Sequence, residues 1–334
     1  MKTMKILITF GILVISPVIV QAWPVVFVPL GSGNQVVAID AETDSINGKI
    51  GGVNNPHGLV ATPDGEYLIA GSLTETPVSA DQSPDTTNSV LAVIHPSHGH
   101  VMATIAVSGW THHQAITPDG RYVISTHPTR GGISVVDMNS NEIKLTLKTG
   151  PSPNYAVVSK DGKNVYVTNT GNGTITEIRL PEWKVTRNLE AGPAPEHMVL
   201  SPDGGTLYVT NPRVGKVSAV NIESGKVADS WQVGDKVHGL DIGDDGKTLF
   251  VSSKKGGRLV KLDRIQGTIT GEISLQPAPY HLNTITGTGK VYVTSREQPR
   301  IWVVDQNSLN ILKVIELPAG EGHQMAIVQK ADDQ

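Results

Sequence analysis

The sequence contains no cysteine among its 334 residues. This absence excludes disulfides, thiolate nucleophiles, Cys-ligated zinc, iron–sulfur clusters, blue-copper sites and lipoprotein anchors. It also excludes covalent haem attachment through a Cys-x-x-Cys-His motif. Histidine, with 11 copies, is therefore the only soft metal ligand that is present in quantity.

Aromatic and charged residues are also scarce, at 4% and 17% of the chain, and the formal net charge is −4. A weakly acidic chain is not expected to carry a broad nucleic-acid-binding surface. The hydrophobic fraction of 38% is low for a helical bundle, whereas Gly reaches 35 residues and Val, Thr and Ile are frequent. This composition favours many short strands joined by turns.

Long apolar runs are missing everywhere except at the N-terminus. There, Lys2 and Lys5 precede an apolar stretch that ends in the small-residue pattern Val20-Gln21-Ala22. This arrangement predicts a secretory signal peptide over residues 1–22, and hence a periplasmic or secreted protein without membrane insertion after cleavage. An uncleaved anchor is the alternative, but the stretch is short for a membrane span and contains Pro17.

The remainder of the chain is built from a repeat. The turn triplet Pro-Asp-Gly occurs three times, and related triplets occur three more times. An apolar strand follows each turn, and a Gly-rich loop and two further strands complete the unit. The six turns lie at 63–65, 118–120, 160–162, 202–204, 244–246 and 287–289.

The period of the repeat is measured from an anchor position seven residues before the central residue of each turn. The anchors fall at 57, 112, 154, 196, 238, 281 and 323, with spacings of 55, 42, 42, 42, 43 and 42. The long first spacing is explained by an insertion at 73–86, predicted to be a surface loop. Seven units of four strands predict an all-β, seven-bladed β-propeller that occupies residues 23–334 as a single domain.

The two ends of the chain predict how the ring closes. The segment after residue 22 supplies three strands that lack an innermost partner, and the C-terminal segment supplies one innermost strand. The N-terminal strands are therefore expected to pair with the C-terminal strand in one antiparallel blade, which removes an open sheet edge.

Two strands carry a motif that is typical of one family. Tyr166-Val-Thr-Asn169 and Tyr208-Val-Thr-Asn211 match the name-giving motif of the Tyr-Val-Thr-Asn (YVTN) β-propeller repeats. The chain after the signal resembles periplasmic and secreted propellers of that family. The resemblance implies a fold more than a function, since members include binding scaffolds and relatives include the propellers of nitrite and nitrous oxide reductases. Function must therefore be inferred from the site.

Histidine recurs at the anchor, where each chain segment enters an innermost strand beside the central channel. Seven such segments converge on one axis, so the imidazoles are expected to face a common tunnel mouth. Imidazole is the usual ligand of copper, zinc and nickel. We predict a metal site, for copper or zinc, that stores, delivers or uses the ion. The histidines at the anchor or one residue later are His57, His112, His113, His197, His238, His281 and His323.

A structural role is the alternative for these histidines. Duplication of one ancestral blade would copy a histidine that merely bonds the neighbouring blade. A shift of one residue also reverses the direction of a strand side chain, which leaves the orientation of His113 and His197 open. A metal-free scaffold for a protein or small ligand is then the expected function.

The tandem pair in Trp110-Thr-His112-His113 adds a second resemblance. Together with histidines from other blades, it is similar to the hub of the copper-cluster propeller of nitrous oxide reductase. The electron-entry domain of that enzyme needs cysteine and a second domain, and neither is found here. The resemblance therefore concerns hub geometry and does not imply nitrous oxide reduction.

Basic residues mark the loops between second and third strands, on the same face as the anchors. Such loops could attract a carboxylate or phosphate ligand, or an acidic protein partner, although ordinary solvated charge is the alternative. This face also resembles the haem-d1-binding propellers of denitrifiers, which usually have eight blades. Glu196 and Glu321 lie on the same face as potential ligands or bases. The predicted cofactor-binding residues are His127, Arg130, Arg213, Arg296 and Arg300, with Lys254 and Lys255 nearby.

A separate cluster, His95, His98 and His100, is expected at a hairpin on the opposite face. Two of these side chains could bind one ion, but an exposed adventitious site is the simpler interpretation. No Gly-x-Ser-x-Gly motif or phosphate-binding loop is found. The sequence therefore assigns no catalytic residue, and an enzymatic function is left open, with a binding function favoured.

Overall fold

The computed structural model describes residues 23–76, 86 and 88–329. The predicted signal peptide and most of the predicted insertion lie outside these residues. No helix in the described ranges is long and apolar enough to cross a membrane.

The described chain forms seven four-stranded antiparallel sheets, which confirms the predicted seven-bladed propeller. Blades are numbered here along the chain from the first complete one. Blades 1 to 3 consist of β4 (Pro56–Ala61), β5 (Leu68–Ser72), β6 (Ser89–His95) and β7 (His100–Val107); β8 (Gln114–Ile116), β9 (Tyr122–His127), β10 (Gly132–Asp137) and β11 (Glu142–Lys148); and β12 (Pro153–Val158), β13 (Asn164–Asn169), β14 (Thr174–Arg179) and β15 (Lys184–Glu190).

Blades 4 to 7 continue the same order, and the last one combines both ends of the chain. They consist of β16 (Met198–Leu200), β17 (Thr206–Asn211), β18 (Lys216–Asn221) and β19 (Lys226–Gln232); β20 (Val237–Ile242), β21 (Thr248–Ser253), β22 (Arg258–Asp263) and β23 (Thr268–Ser274); β24 (Pro279–Ile285), β25 (Lys290–Ser295), β26 (Arg300–Asp305) and β27 (Ile311–Glu316); and β28 (Ala326–Val328), β1 (Val25–Leu30), β2 (Gln35–Asp40) and β3 (Ser45–Gly51).

The Pro-Asp-Gly triplets form the turns between the first and second strands, as predicted. In blade 1, Gly65 has a φ of +72°, a left-handed conformation that glycine adopts without steric cost. The Asp64 carboxylate accepts hydrogen bonds from the Glu66 backbone N–H and from the Thr62 hydroxyl. The same carboxylate contacts recur in the turns of other blades, so each turn is stabilised by its own side chains.

The hydrophobic core lies between the blades and not at the centre of the ring. Seven clusters of buried apolar residues each span one blade interface. For example, Val26 and Val37 of blade 7 pack with Ile301 and Val303 of blade 6. Because these clusters supply the apolar burial, the central axis is free to carry polar side chains.

Strand pairing between the chain ends closes the ring, which confirms the predicted closure. Val25 pairs with Val328 and Phe27 pairs with Ala326. A buried ion pair also connects the closing blade to blade 6. The Lys290 ammonium lies 2.8 Å from the Asp44 carboxylate, which also accepts a hydrogen bond from the Tyr292 hydroxyl.

Candidate metal centre

The first strands of neighbouring blades contact one another around the ring and are therefore innermost. The same hydrogen bond recurs in these strands and marks equivalent positions. It runs from a backbone N–H to a Ser or Thr hydroxyl 13 residues later. This bond is made by residues 113, 155, 197, 239 and 281, which are spaced by 42 throughout. The sixth anchor is therefore Tyr280, and the predicted anchor at His281 is one residue too late.

With this correction, the inward positions form two successive layers. The first layer is His57, His112, Asn154, Glu196, His238, Tyr280 and His323. The second layer is Gly58, His113, Tyr155, His197, Gly239, His281 and Gln324. Histidine is thus divided between the layers, four in the first and three in the second.

Breaks in strand register explain how both layers reach the axis. In blades 1, 3, 5 and 6 the ladder between first and second strands shifts at the anchor, for example between Val237 and Leu240. Such a bulge redirects side chains that strict alternation would place on opposite faces. In blades 2 and 4 the first strand begins only after the histidines, at Gln114 and Met198. The side chains of His113 and His197 therefore also reach the central axis.

The seven histidines, called the hub histidines below, form one continuous cluster. The His57 ring lies 4.4 Å from His112 and 4.0 Å from His323, measured between ring centroids. On the other side, His281 lies 4.7 Å from His197 and 4.9 Å from His238. His113 joins both sides, at 5.0 Å from His57 and 4.8 Å from His197. Six of the seven blades contribute to this cluster.

Each hub histidine has at least one buried ring nitrogen without a hydrogen-bond partner among the described residues. Since an unpaired buried polar group costs about 1–3 kcal/mol, eight such nitrogens in one cluster favour a ligand that they would bind together. The atoms are Nδ1 and Nε2 of His57, Nδ1 of His112 and His323, and Nε2 of His113, His197, His238 and His281.

Three groups of these histidines bring ligand nitrogens within 4.8 Å of one another, and each group could hold a metal ion. His57, His113 and His281 each belong to two of the groups, so the overlap makes one continuous nitrogen-lined site. The groups are His57, His281 and His323; His57, His112 and His113; and His113, His197 and His281.

The hub histidines are neutral at pH 7. Burial lowers the pKa of each ring, and that of His112 falls to about 4. Repulsion from neighbouring imidazoles lowers the pKa of His57 and His281 further. Neutral imidazole is the form that binds metal, so no proton has to leave before an ion is bound.

Two carboxylates hold the outer nitrogens of hub histidines. Glu196 Oε2 lies 2.9 Å from His238 Nδ1, and Glu321 Oε1 lies 3.3 Å from His323 Nε2. Hydrogen bonds from His323 and Ser32 keep the pKa of Glu321 well below its usual range. Such pairs set the tautomer, because a proton on the outer nitrogen leaves the inner one free to bind. The sequence placed both carboxylates on this face but did not identify these histidine partners.

Aromatic rings cover the cluster. Tyr280 stacks on His238 with 4.1 Å between centroids, and Tyr155 stacks on His197 at 4.7 Å. The rings of Trp110 and His112 are nearly perpendicular, with 5.5 Å between their centroids. Burial raises the pKa of Tyr280 to about 12, so its phenol is neutral. The sequence analysis missed both tyrosines, although the strict spacing of 42 puts them in register with the histidines.

The predicted cofactor-binding residues do not form one group. Arg296 lies at the hub, 3.0 Å from Glu321 Oε1. Arg130 pairs with Glu75 at 3.8 Å and Arg300 with Glu316 at 3.6 Å, while Arg213 is exposed.

His127 is buried at the end of β9, outside the hub cluster, with Nδ1 3.3 Å from the Gly109 carbonyl oxygen. It occupies the register position that Asn169 and Asn211 occupy in blades 3 and 4. There, both asparagine side chains donate hydrogen bonds to nearby hydroxyls. The position therefore has a structural role in the neighbouring blades.

The second predicted histidine cluster lies at the hairpin between β6 and β7. His95 and His98 stack at 4.0 Å, and His98 and His100 at 5.8 Å. Ring nitrogens of His95 and His100 already contact Ser97 Oγ and the His98 carbonyl oxygen, both at 3.0 Å. These three rings are not among the convergent ligand groups found in the described part of the chain.

A family model for the seven-bladed β-propeller lactonases matches residues 122–241, from the second strand of blade 2 to the first strand of blade 5. Over this stretch the chain is similar to the lactonase propellers. A search of curated proteins finds no match.

Solved structures with the same fold include proteins of different activities. A candidate 6-phosphogluconolactonase of Bacteroides uniformis is 17% identical with a TM-score of 0.76, and the alignment covers 92% of this chain and 100% of that one. The periplasmic gluconolactonase of Pseudomonas aeruginosa is 18% identical with a TM-score of 0.73, covering 91% and 99%. A dihydro-haem d1 dehydrogenase in complex with DHE is 14% identical with a TM-score of 0.66, covering 88% and 64%. At these identities the similarity shows the fold alone.

Proposed function

We propose that this protein binds copper or zinc through the hub histidines and stores, delivers or uses the ion. The observation that carries the proposal is the convergence of buried, unpaired ring nitrogens from six blades. A purely structural histidine would be expected to satisfy its buried nitrogens with backbone partners, as buried polar groups generally do. Metal coordination would remove the cost of leaving these nitrogens unpaired.

The donor set favours late first-row metals. All seven donors are neutral imidazoles, which suit copper, zinc, nickel and iron, and the general affinity order places copper highest. Glu196 and Glu321 would act as outer partners that hold His238 and His323 in a ligating tautomer. Residues 1–22 support a periplasmic or secreted location, where the protein would exchange metal with a small ligand or another exported protein.

Metal analysis of untagged protein tests the proposal. Protein loaded with Cu²⁺ or Zn²⁺ and then desalted is expected to retain metal in stoichiometric amounts and to melt at a higher temperature, because the ion binds only the folded state. The triple variant His112→Ala/His238→Ala/His281→Ala is expected to lose more than half of the bound metal. Each substitution removes a ligand from a different blade.

The surface histidines provide a matched control. The variant His95→Ala/His98→Ala/His100→Ala removes the same number of imidazoles from the opposite face and is expected to keep the hub metal. A wild-type protein without bound metal, or equal retention by both triple variants, would contradict the proposal and favour a metal-free scaffold.

Lactone hydrolysis is a second candidate function, and the family match over residues 122–241 favours it. Base-titration assays with gluconolactone and 6-phosphogluconolactone, on metal-free and metal-loaded protein, test this activity. Turnover above the spontaneous rate in metal-free protein would make lactone hydrolysis the primary function. Turnover only after metal loading would assign the reaction to the hub.

Binding of a haem-d1-like tetrapyrrole is a third candidate function. The structural neighbour in complex with DHE supports it. Visible absorption of protein purified from its natural host tests it directly. A tetrapyrrole band that co-elutes with the protein would replace the metal proposal, whereas a spectrum without such a band would dismiss the tetrapyrrole.

A further inference from the structure

A half-buried lysine lies at the mouth of the hub without an ion-pair partner among the described residues. The Lys254 ammonium is 5.3 Å from the centroid of the Tyr280 ring, which also contacts hub histidines. Tyr280 stacks on His238 and meets His281 edge-on at 4.4 Å. Lys254 is therefore separated from the hub histidines by a single aromatic ring.

Arg296 approaches the same ring. Its guanidinium carbon lies 5.4 Å from the Tyr280 centroid, and its Nη1 lies 3.0 Å from Glu321 Oε1. The Glu321 carboxylate is already engaged by His323 and by the Ser32 hydroxyl at 2.6 Å. Two cations thus lie beside one tyrosine at the edge of the cluster, and both would attract a small anion.

The positive charge of a metal ion bound at the hub favours the binding of such an anion. Neutral imidazoles leave a divalent ion with its full charge in a buried site, and an uncompensated buried charge is costly. The two nearby carboxylates bind outer ring nitrogens and do not belong to the convergent ligand groups of the described chain. Glu321 already pairs with Arg296, and Glu196 already attracts Lys254, so an external anion would complete the charge balance of a bound ion.

The packing of the hub limits the size of this partner. Neighbouring hub ring centroids are 4.0 to 5.5 Å apart, so these rings are in contact and favour a small ligand over a sugar or a tetrapyrrole. An anion of one to three heavy atoms fits this restriction, whereas larger anions would have to stay outside the Tyr280 ring.

We infer that the metal-loaded hub takes a small inorganic anion as an external ligand, which enters beside Tyr280 between Lys254 and Arg296. This inference rests on the proposed metal site and names the class of ligand for it. Lys254 and Arg296 attract and position the anion, and the metal binds it.

Azide binding to Cu²⁺-loaded protein tests the inference, because copper-bound azide gives a charge-transfer absorption band. Wild-type protein is expected to show a saturable band. The variants Lys254→Met and Arg296→Met are expected to bind azide roughly tenfold more weakly, since each removes one positive charge but keeps much of the side-chain volume. Acetonitrile, a neutral probe of the same size, is expected to show no such difference between wild type and variants.

Lys255→Met is the matched control. Lys255 is the next residue, its side chain is 72% exposed and it pairs with Asp235, so its loss is expected to leave azide affinity unchanged. The rate of azide binding to wild-type protein gives a readout that needs no variant. This rate should fall as a non-coordinating salt is added, because salt screens the attraction.

Copper content, measured before each titration, separates the possible failures. Protein without copper would overturn both the proposed function and this inference. Fully loaded protein without an azide band would overturn the inference alone. Equal azide affinity in wild type, Lys254→Met and Arg296→Met, with a salt-independent rate, would overturn the assignment of these two residues.

Discussion

Except in His57, the two ring nitrogens of a hub histidine have different surroundings, and the difference sets what the ring can do. His238 has its Nδ1 next to Glu196 and its Nε2 buried without a partner. His323 is reversed, with Nε2 next to Glu321 and Nδ1 unpaired. The sequence predicts which residues gather at the hub, but it does not predict which ring nitrogen faces a carboxylate, because this depends on how each imidazole is oriented among its neighbours.

His127 gives a prediction at this scale that does not involve the hub. Burial lowers its pKa to about 4, whereas an unfolded histidine titrates near 6.5. Between these values the unfolded chain binds the proton and the folded chain does not, so stability falls as the pH falls. At pH 4.5 this single group should cost about 2–3 kcal/mol relative to pH 7.

The variant His127→Asn isolates this effect, because asparagine occupies the same register position in blades 3 and 4. Urea unfolding of metal-free protein at pH 7 and pH 4.5 is the measurement. The variant should lose about 2–3 kcal/mol less than wild type between the two pH values. Equal losses would show that His127 does not titrate as its burial indicates.

Among the strands, the first strand of each blade carries the hub residues, and in blades 1, 3, 5 and 6 its hydrogen-bond ladder is interrupted at the anchor. The sequence predicts these strands from the turn that follows, and the turn is a local pattern. It does not predict the bulge, because a register break depends on how the first strand meets its neighbour. The bulge in blade 6, for example, brings two consecutive residues, Tyr280 and His281, into the same cluster.

Gly239 in β20 shows how tightly these strands are packed. A Cβ atom at this position would lie 2.5 Å from the Tyr280 carbonyl oxygen and 2.8 Å from the Leu282 nitrogen. We expect Gly239→Ala to push β24 outward, to destabilise the protein by about 1–3 kcal/mol and to weaken metal binding, since His281 lies on β24.

Gly51→Ala is the control for this prediction, because a Cβ atom there meets nothing within 4 Å. Thermal unfolding and bound copper should be close to wild type for Gly51→Ala and reduced for Gly239→Ala. A Gly239→Ala protein with normal stability and full copper would show that the inner strands can separate without disturbing the hub.

In the whole molecule, seven interface clusters carry the apolar burial, and closure of the ring decides whether the seventh blade forms. Besides the strand pairing, the Lys290–Asp44 pair connects blades 6 and 7 inside the protein. Lys290→Met should cost about 3–5 kcal/mol, because it leaves the Asp44 carboxylate buried without its counter-charge.

Lys313→Met is the control for this prediction, because it removes a surface contact between the same two blades. Lys313 is exposed, and its ammonium contacts the Thr43 carbonyl oxygen at 2.8 Å. Its loss is expected to cost less than about 1 kcal/mol. Chemical unfolding of both variants makes the comparison, and a Lys290→Met protein as stable as Lys313→Met would rule out a major role for the buried pair in closure.

The sequence by itself determined the number of blades, their four strands and the way the ring closes, because turns and strand alternation repeat within every 42 residues. It also brought histidine to the central axis from most blades. Only the tertiary structure decided that two layers share the axis and that Glu196 holds a ring nitrogen of His238 from the neighbouring blade. These features arise where side chains from different blades meet, and contacts of that kind leave no local pattern in the sequence.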